Sequence, residues 1–364
     1  GRRLLVETVL IAALVGALFA LQYTREAIDL IAQPVVVASR VSGIDLIGLV
    51  EGSGLRIGTR PLYVDAAIRR DDLASVRWLL ESKPERISEQ ALLGYVCSAT
   101  SNRRPEILRY LISRAASVDR VCNDEVRTPL GTAVKLRDSE LIAILLGAGA
   151  DPNIDRGESG SLLDELVDTC DPDLIRVFLT SAQGRIAQDR MAVPTAMRLV
   201  RRPCGEKSFE AFVQGGGAVN GQDERGNTVL HLLASMPTNP RLELLLSAKS
   251  LDVNIRNAAG STALHQILSH REPEGFEPTR FERLVERFIA LGADLNAVTD
   301  EGITPTMFAA MKHRAKILQL LLQSDRVNLD HVDHSGRGLE ASVSSQELEL
   351  KRALIREARA RMRE

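Results

Sequence analysis

Apolar residues in this chain occur in short runs at helical spacing, and these runs come in pairs that return at a fixed interval. One run contains Leu141, Ile142, Leu145 and Leu146. Gaps of three and four residues place such side chains on one face of a helix. Since no comparable alternation of apolar and polar residues marks strands in the paired runs, the pattern predicts an all-α fold of short helices.

A phrase of the type Thr-Pro-Leu opens the pairs and mostly returns after 33 or 34 residues, at Thr128, Ser161, Pro194, Thr228, Thr262 and Thr304. A segment like Gly-Ala-Asp-x-Asn follows about twenty residues later, as at Gly149 to Asn153, or 30 residues later in the longest unit, at Gly292 to Asn296. A hydroxyl caps a helix start, proline fits its first position, and glycine favours its end. The chain is therefore predicted to repeat a unit of two helices and a turn.

These phrases resemble the ankyrin repeat, over roughly Pro61 to the C-terminus. The resemblance implies a solenoid of about eight helix-turn-helix units over residues 61–346, and a capping helix over residues 347–364. Leu348, Leu350, Leu354, Ile355 and Met362 are expected on the apolar side of that helix. The resemblance also implies that the imidazoles of His231 and His265, in the phrase Thr-x-Leu-His, tie neighbouring turns together.

The N-terminal segment has a different character. Leu4 to Leu21 is apolar apart from Glu7 and Thr8, and about eighteen helical residues approach the thickness of a membrane. Residues 1–22 are therefore expected to form a transmembrane anchor. Alternatives are a cleaved signal peptide, a buried helix that packs on the first repeat, and a chain that begins upstream of Gly1. Arg2 and Arg3 favour a cytoplasmic N-terminus and repeats in the periplasm.

Residues 23–60 lack the repeat pattern, and Pro34 is expected to end any helix that continues from the apolar run. Apolar residues at 35–37 and 44–50 alternate with glycines and predict a short extended segment. We interpret residues 23–60 as a linker and N-terminal cap that covers the first repeat. A stretch that binds a partner or lies on the membrane is the alternative.

The unit that begins near Ala259 is longer than its neighbours, because Thr304 follows Thr262 after 42 residues. The additional residues fall between the two helices, at about 270–280, and include Phe276. A loop at this position with an exposed aromatic residue is a candidate contact site. The alternative is a neutral lengthening in which Phe276 or Phe281 packs back on the helices.

The four cysteines bear on the compartment. Cys170 and Cys204 are 34 residues apart, which is one repeat, so the resemblance implies that adjacent units bring them side by side. A disulfide between them would suit an exported domain, and two free thiols are the alternative. Cys97 is interpreted as a packing residue, whereas Cys122 lies in a turn and is either free or paired with Cys97.

Composition argues against several classes of function. The formal net charge is -2 with both signs interleaved, whereas nucleic acids require a concentrated basic surface. Only seven of the 46 basic residues are lysine, an arginine bias that suggests a bacterial genome. No nucleotide-binding or nucleophile motif occurs, and His331 and His334 beside Asp333 are a weak metal signal. No cofactor, metal or small-molecule substrate is therefore predicted.

Recognition of a protein is the remaining hypothesis, and the resemblance implies that the turn tips and the first helix of each unit form the binding surface. The candidate contact residues are Asp155, Arg156, Asp223, Glu224, Arg225, Arg256, Asn257, Phe276, Asp300, Glu301, His331, Asp333 and His334. We expect a non-enzymatic protein on the periplasmic face of the inner membrane, or soluble in the periplasm, that blocks a toxin or effector enzyme. A regulatory or assembly subunit of a membrane complex is the alternative hypothesis.

Overall fold

The computed structural model describes residues 36–37, 39, 60–82, 87–115, 117–122, 128–153, 161–182, 186, 194–202, 204–269, 278–312, 315–344 and 347–363. Within these residues the secondary structure consists of α-helices and a short 3-10 turn, without strands. The chain divides into two compact units, Gly1–Arg156 with Ser181–Arg185 and Gly157–Thr180 with Ile186–Glu364. The all-α prediction is thereby confirmed for the described residues.

The first unit contains three helix pairs: α1 Arg60–Arg69 and α2 Leu73–Glu81, α3 Glu89–Ser101 and α4 Pro105–Ile112, and α5 Pro129–Lys135 and α6 Ser139–Gly147. The first helices α1, α3 and α5 contact one another in series, and so do the second helices α2, α4 and α6. Fully buried side chains such as Val76, Val96 and Leu145 fill the space between the helices. The core is thus shared only between neighbouring pairs.

The second unit continues the pattern with α7 Leu162–Asp168, α8 Pro172–Ala182, α9 Thr195–Arg201, α10 Glu206–Gln214, α11 Val229–Ala234, α12 Pro240–Leu245, α13 Ala263–Ser269, α14 Pro278–Ala290, α15 Pro305–Lys312, α16 Ala315–Leu322, the 3-10 turn Glu340–Ser342 and α17 Leu348–Arg361. The first helices α7, α9, α11, α13 and α15 again contact one another in series. The additional residues of this unit were predicted at about 270–280, but residues 278–280 belong to helix α14. Phe281 is buried, and Phe276 lies outside the described residues.

Capping explains where the first helices begin. The hydroxyl oxygen of Thr128 accepts a hydrogen bond from the Gly131 amide at 3.2 Å, and that of Thr304 accepts one from Met307 at 3.2 Å. Pro129 and Pro305 occupy the first helical position, where no amide hydrogen is needed. At Pro194 the cap lacks a side-chain bond. The sequence phrase therefore marks helix starts, as predicted.

The N-terminal predictions concern residues 1–60, and few of these are among the residues that the structure describes. The apolar run from Leu4 to Leu21 lies outside them, and no helix within them is long and apolar enough to cross a membrane. Val36, Val37 and Ser39 are helical, so the prediction of extended backbone is wrong at these positions. Val36 lines a small cleft together with Tyr63 and Ala67 of α1, because its buried isopropyl group packs against that helix.

The C-terminal helix α17 packs on α16 with the predicted face except at Leu350, since Ile355 is buried and Leu348, Leu354 and Met362 are half-buried. Lys351, Ile355 and Ala358 are buried, whereas Leu350 is 53% exposed. The Lys351 ammonium donates hydrogen bonds to the carbonyl oxygen of Ala310 at 3.2 Å and to Ser344 Oγ at 3.0 Å. Desolvation by burial lowers the pKa of Lys351. These two oxygen acceptors allow Lys351 to be buried where α17 packs. The apolar pattern of the sequence did not indicate that this lysine would be buried.

All four cysteines are paired, Cys97 with Cys122 and Cys170 with Cys204. The Cα atoms are 5.7 Å apart in the first pair and 5.1 Å apart in the second, which is within the usual range for disulfides. Cys170 precedes α8 and Cys204 precedes α10, so this bond joins two consecutive helix pairs of the second unit. Cys97 therefore has a covalent partner, in addition to the packing role expected for it.

Replacing both Cys170 and Cys204 by serine is expected to lower the free energy of unfolding by about 3–4 kcal/mol, because the unfolded chain regains the freedom of a 34-residue loop. Urea unfolding of oxidised wild type and variant would measure the difference. Reduction should destabilise the wild type and leave a variant without cysteines unaffected. Four alkylatable thiols in the unreduced protein would contradict the pairing.

Candidate recognition surface

Four short loops of the second unit share one geometry and are called the tip loops: residues 223–227, 257–261, 299–303 and 333–337. In each, the amide of the first residue donates to the carbonyl of the fifth, from 2.9 Å for Asp223 to 3.1 Å for Thr299. The side-chain oxygen of the first residue accepts from amides further along its own loop, as Asp223 does from Asn227 at 2.8 Å. This internal bonding gives the tip loops a common backbone shape.

Successive tip loops are also bonded to one another. The amide of Ala258 donates to the carbonyl of Arg225 at 2.8 Å, that of Asp300 to Ala259 at 3.0 Å, and that of His334 to Glu301 at 3.1 Å. Asn257 adds a side-chain bond, from its Nδ2 to Asn227 Oδ1 at 2.9 Å. The tip loops therefore form a connected row, in which the position of each loop is fixed by its neighbour.

The first residue of each tip loop is structural, although three of them were candidate contact residues. The side-chain oxygens of Asp223, Asn257 and Asp333 accept hydrogen bonds from backbone amides of their own loops. Asp333 is only 4% exposed, and the amide of Arg337 and its guanidinium hold the pKa of this carboxyl below its ordinary value. The sequence signal was an Asp, Asn or Thr three residues before a glycine.

The second and third residues are exposed in all four tip loops: Glu224 and Arg225, Ala258 and Ala259, Asp300 and Glu301, His334 and Ser335. Arg256 is exposed but donates to the carbonyl oxygens of Gly260 and Val298. His331 is half-buried, and its Nε2 donates to the Gly302 carbonyl at 2.7 Å. Of the other candidates, Asp155, Arg156 and Phe276 lie outside the described residues.

Two histidines connect the first helices to the tip loops. His231 Nε2 donates to the Ser261 carbonyl at 3.0 Å, and His265 Nε2 donates to the carbonyls of Ala297 at 3.0 Å and Ile303 at 3.2 Å. Each Nδ1 accepts from the amide of its own cap residue, Thr228 or Thr262, at 3.1 Å. Since carbonyl oxygens only accept, the ring proton lies on Nε2. The bonds confirm the role that the resemblance implied for His231 and His265, which is to tie neighbouring turns together.

Burial keeps both rings neutral. Desolvation lowers the pKa of His231 below its ordinary value, and it lowers the pKa of His265 to about 4. The neutral form is also the form that fits, since Nδ1 must accept a hydrogen bond while Nε2 donates one. These rings are therefore unavailable as acids or bases near pH 7, and they position the row of tip loops.

A second connection lies at the helix stops and involves asparagines that the sequence marked only as turn residues. Asn220 Oδ1 accepts from the Asp252 amide at 3.0 Å, and its Nδ2 donates to the Ser250 carbonyl at 2.7 Å. Asn254 and Asn296 make the same pair of bonds to the following helix pair. Between residues 220 and 334, consecutive repeats are thus fastened to one another at both the tip loops and the helix stops.

The first helices add a row of half-buried side chains, four residues after each cap. In the second unit this row is Glu165, Arg198, Leu232, Gln266 and Phe308. The row is charged at Glu165 and Arg198 and apolar at Leu232 and Phe308, with the polar Gln266 between these last two. Adding four to each cap position would have found these residues in the sequence.

The charged end of the row is committed to an internal network around Asp164, which occupies the histidine position of its phrase. Arg198 contacts Asp164 and Asp168 at 2.8 Å each. Thr195 donates to Asp164 at 2.9 Å, and the Ser161 amide donates at 3.1 Å. Asp164 is buried, so Arg198 is held in place by a carboxylate that cannot turn to solvent.

Within the described part of the chain, no group of three or more histidine, cysteine or carboxylate side chains is arranged to hold a metal. The side chains that do cluster, around Asp164 and Asp333, bind their neighbours through hydrogen bonds and ion pairs. The surface offers exposed side chains on a fixed backbone, which is an arrangement for recognition.

Replacing Gly302 by alanine is expected to cost about 2 kcal/mol of stability. Its φ is +78°, and an added Cβ would lie 2.9 Å from the His334 amide nitrogen of the next tip loop. Gly336 is a matched control, because its φ is +77° and nothing lies within 4 Å of its added Cβ. Thermal unfolding of both variants would test this, and equal losses would contradict a tight contact between the loops.

Comparisons with known proteins give distant similarity. No protein-family model matches the chain. It is 25% identical to the E3 ubiquitin-protein ligase KEG of Arabidopsis thaliana over 57% of this chain and 13% of that protein. It is 31% identical to a probable serine/threonine-protein kinase of Dictyostelium discoideum over 29% of this chain and 12% of that protein.

The putative palmitoyltransferase ZDHHC13 of Danio rerio is 25% identical over 46% of this chain and 26% of that protein. The chain therefore spans about a quarter or less of the length of these relatives. Among solved structures, the ankyrin repeat domain of Bcl-3 matches with a TM-score of 0.41 and 20% identity, over 62% of this chain and 96% of that domain. The helix pairs and histidine bonds described above resemble ankyrin repeats.

Proposed function

We propose that this chain, whose repeats resemble ankyrin repeats, is a non-catalytic protein that binds and inhibits or sequesters a partner protein. The observation that carries the proposal is the row of tip loops: one backbone geometry, bonded from loop to loop, presents different exposed side chains at each step. A fixed scaffold with varied exposed side chains loses little entropy on binding and can be specific. Ankyrin-type folds are generally non-catalytic interaction modules.

The proposal includes a location on the periplasmic side of the inner membrane. Pairing of all four cysteines supports an oxidising compartment, and the apolar run from Leu4 to Leu21 supports an anchor or a signal peptide. An inhibitor of a toxin or effector enzyme that acts in this compartment would suit both features. In such a role, the protection depends on the affinity of the chain for the toxin or effector enzyme and requires no catalysis by the chain itself.

A regulatory or assembly subunit of a membrane complex is the second candidate. It is favoured by Glu7, since a carboxylate within an apolar run of this kind is costly unless it is paired or lies at the interface. Exchanging residues 1–22 for an unrelated span separates the two functions. The inhibitor should retain its activity after the exchange, whereas the assembly subunit should lose it.

Affinity capture with the full chain tests the proposal directly. A variant with Glu224, Arg225, Asp300 and Glu301 replaced by alanine serves as the control, because these side chains are exposed and their loops are held by backbone bonds. A specific partner should be retained by the wild type and lost by the variant, and its activity should be blocked by the wild type alone. Capture by both proteins alike, or turnover of substrate by the purified chain, would contradict the proposal.

A further inference from the structure

Asn220 differs from the other asparagines of this chain in the residue that follows it. Gly221 comes next, whereas every other asparagine, from Asn102 to Asn328, is followed by a residue with a β-carbon. The backbone nitrogen after an asparagine can attack the side-chain carbonyl carbon, and a β-carbon on the attacking residue hinders this approach. Because glycine lacks that carbon and has wide conformational freedom, this cyclisation is least hindered at Asn220.

The position of Gly221 in the fold leaves its backbone nitrogen free to react. Residues 218–222 lie between α10 and the tip loop 223–227, outside any helix. The Gly221 amide donates no hydrogen bond to any residue that the structure describes. Asn220 and Gly221 are both half-buried, so they are not sealed from solvent. The attacking nitrogen is therefore not held by another acceptor, and water can reach the product.

The side-chain amide of Asn220 joins two consecutive repeats. Its Oδ1 accepts from the Asp252 amide at 3.0 Å, and its Nδ2 donates to the Ser250 carbonyl at 2.7 Å. A carboxylate in place of this amide would have no donor and would set an oxygen against the Ser250 carbonyl oxygen. The joint therefore depends on Nδ2, which is the atom that the cyclisation expels.

We propose that Asn220 is a site of spontaneous deamidation in the folded protein, and that the modification loosens the joint between these repeats. The Gly221 nitrogen forms a bond to Asn220 Cγ, the bond from Cγ to Nδ2 breaks, and Nδ2 leaves as ammonia with the proton of the Gly221 amide. Water then opens the resulting succinimide. Attack at Cγ gives aspartate, and attack at the backbone carbonyl carbon gives isoaspartate. Both steps are substitutions at carbonyl carbon, so neither requires an oxidant or a reductant.

Peptide mapping by mass spectrometry tests the site in the folded full chain, aged at mildly alkaline pH, where the attacking nitrogen loses its proton more readily. Asn254 and Asn296 are internal controls. They make the same pair of bonds to the following repeat but precede Ile255 and Ala297. The deamidated fraction at Asn220 should grow at least about tenfold faster than at either control. Equal rates at the three asparagines would overturn the proposal.

Gly221→Ala tests the role of the glycine. The φ of Gly221 is not positive, so alanine suits this backbone, and the variant should slow deamidation of Asn220 about tenfold. Gly147→Ala is the control, because an added Cβ there meets nothing within 4 Å and Gly147 follows no asparagine. An unchanged rate in Gly221→Ala would overturn the proposal.

The chain unfolded in urea serves as the positive control for the reaction itself. Deamidation of Asn220 should be measurable both in urea and in the folded protein. If Asn220 reacted in urea and stayed intact in the folded protein over the same period, the fold would protect the site and the proposal would be wrong.

Asn220→Asp shows what the modification does to the joint. Since aspartate cannot donate to the Ser250 carbonyl, the equilibrium constant for unfolding should rise about fivefold. Asn328→Asp is the matched control, because the Asn328 side chain accepts from the Asp330 amide of its own turn, and it should change this constant by less than about twofold. Equal effects in urea unfolding would contradict the loosening. None of these measurements needs a partner, so the inference stands apart from the proposed function.

Discussion

Replacing Asp164 by alanine is expected to lower the free energy of unfolding by about 4 kcal/mol. Asp164 is buried and accepts hydrogen bonds from Thr195 and from the backbone and hydroxyl of Ser161. Its removal takes one acceptor from the buried Thr195 hydroxyl and one of two carboxylates from Arg198. Loss of a buried charged partner costs more than loss of an exposed one because water cannot replace it.

Asp168→Ala is the matched control for this prediction. Asp168 contacts the same guanidinium at the same distance of 2.8 Å, but its side chain is 40% exposed. An exposed ion pair contributes about 1 kcal/mol or less, so the two variants should differ by about 3 kcal/mol in urea unfolding at pH 7. Asp164→Asn should fall between them, since the amide keeps the shape and one acceptor. Equal losses for Asp164→Ala and Asp168→Ala would show that burial does not govern the network.

Replacing His265 by alanine is expected to have an effect of similar size, about 4 kcal/mol. The ring fills a buried site and satisfies the carbonyls of Ala297 and Ile303 in the next repeat. Alanine would leave the Ala297 carbonyl without this donor and the Ile303 carbonyl with only the Thr299 amide, beside a cavity. His334→Ala, at an exposed position of the last tip loop, should change stability by less than about 0.5 kcal/mol. Chemical unfolding of the two variants would measure the difference.

The same histidine makes stability depend on pH. Burial lowers the pKa of His265 to about 4 in the folded protein, whereas its ordinary value is about 6.5. As the pH falls from about 6.5 towards 4, the unfolded chain takes up a proton that the folded protein does not. Stability should therefore be complete above this range and should decrease within it, by about 3 kcal/mol.

Urea unfolding at pH 7, 6 and 5 checks this direction, with His265→Gln as the comparison because glutamine cannot titrate. The wild type should lose more stability than the variant over this interval. If stability fell equally with pH in the two proteins, the pKa of His265 would not differ between the folded and unfolded states, and the prediction would be wrong.

Helix starts and the roles of the histidines could be predicted from the sequence because their causes are local. A cap at Thr128 or Thr228 acts on amides within three residues of the same chain segment, and the resemblance supplied the partner of the imidazole. Six first helices, α5, α7, α9, α11, α13 and α15, could be placed for the same reason, since each follows one of the six phrases, whereas α1 and α3 do not. These features depend on a few neighbouring residues and on the repeat interval.

Other features depend on residues one or more repeats away, so the local pattern was insufficient. Asp164 is stabilised by Thr195 and Arg198, and Lys351 is buried because Ala310 and Ser344 supply acceptors. Asp333 is a candidate contact residue by sequence, yet its carboxylate accepts hydrogen bonds from amides and the guanidinium of its own loop. The row that contains Phe308 could be located by counting four residues from each helix cap, but counting alone does not show which first-helix positions remain half-buried.

The disulfide between Cys170 and Cys204 has a topological consequence. It closes a covalent ring that begins before α8 and ends before α10. A single proteolytic cut anywhere in that ring opens the backbone but separates nothing, since both products remain joined through sulfur. The second unit can therefore be nicked within this ring without losing either fragment, and only reduction would release them.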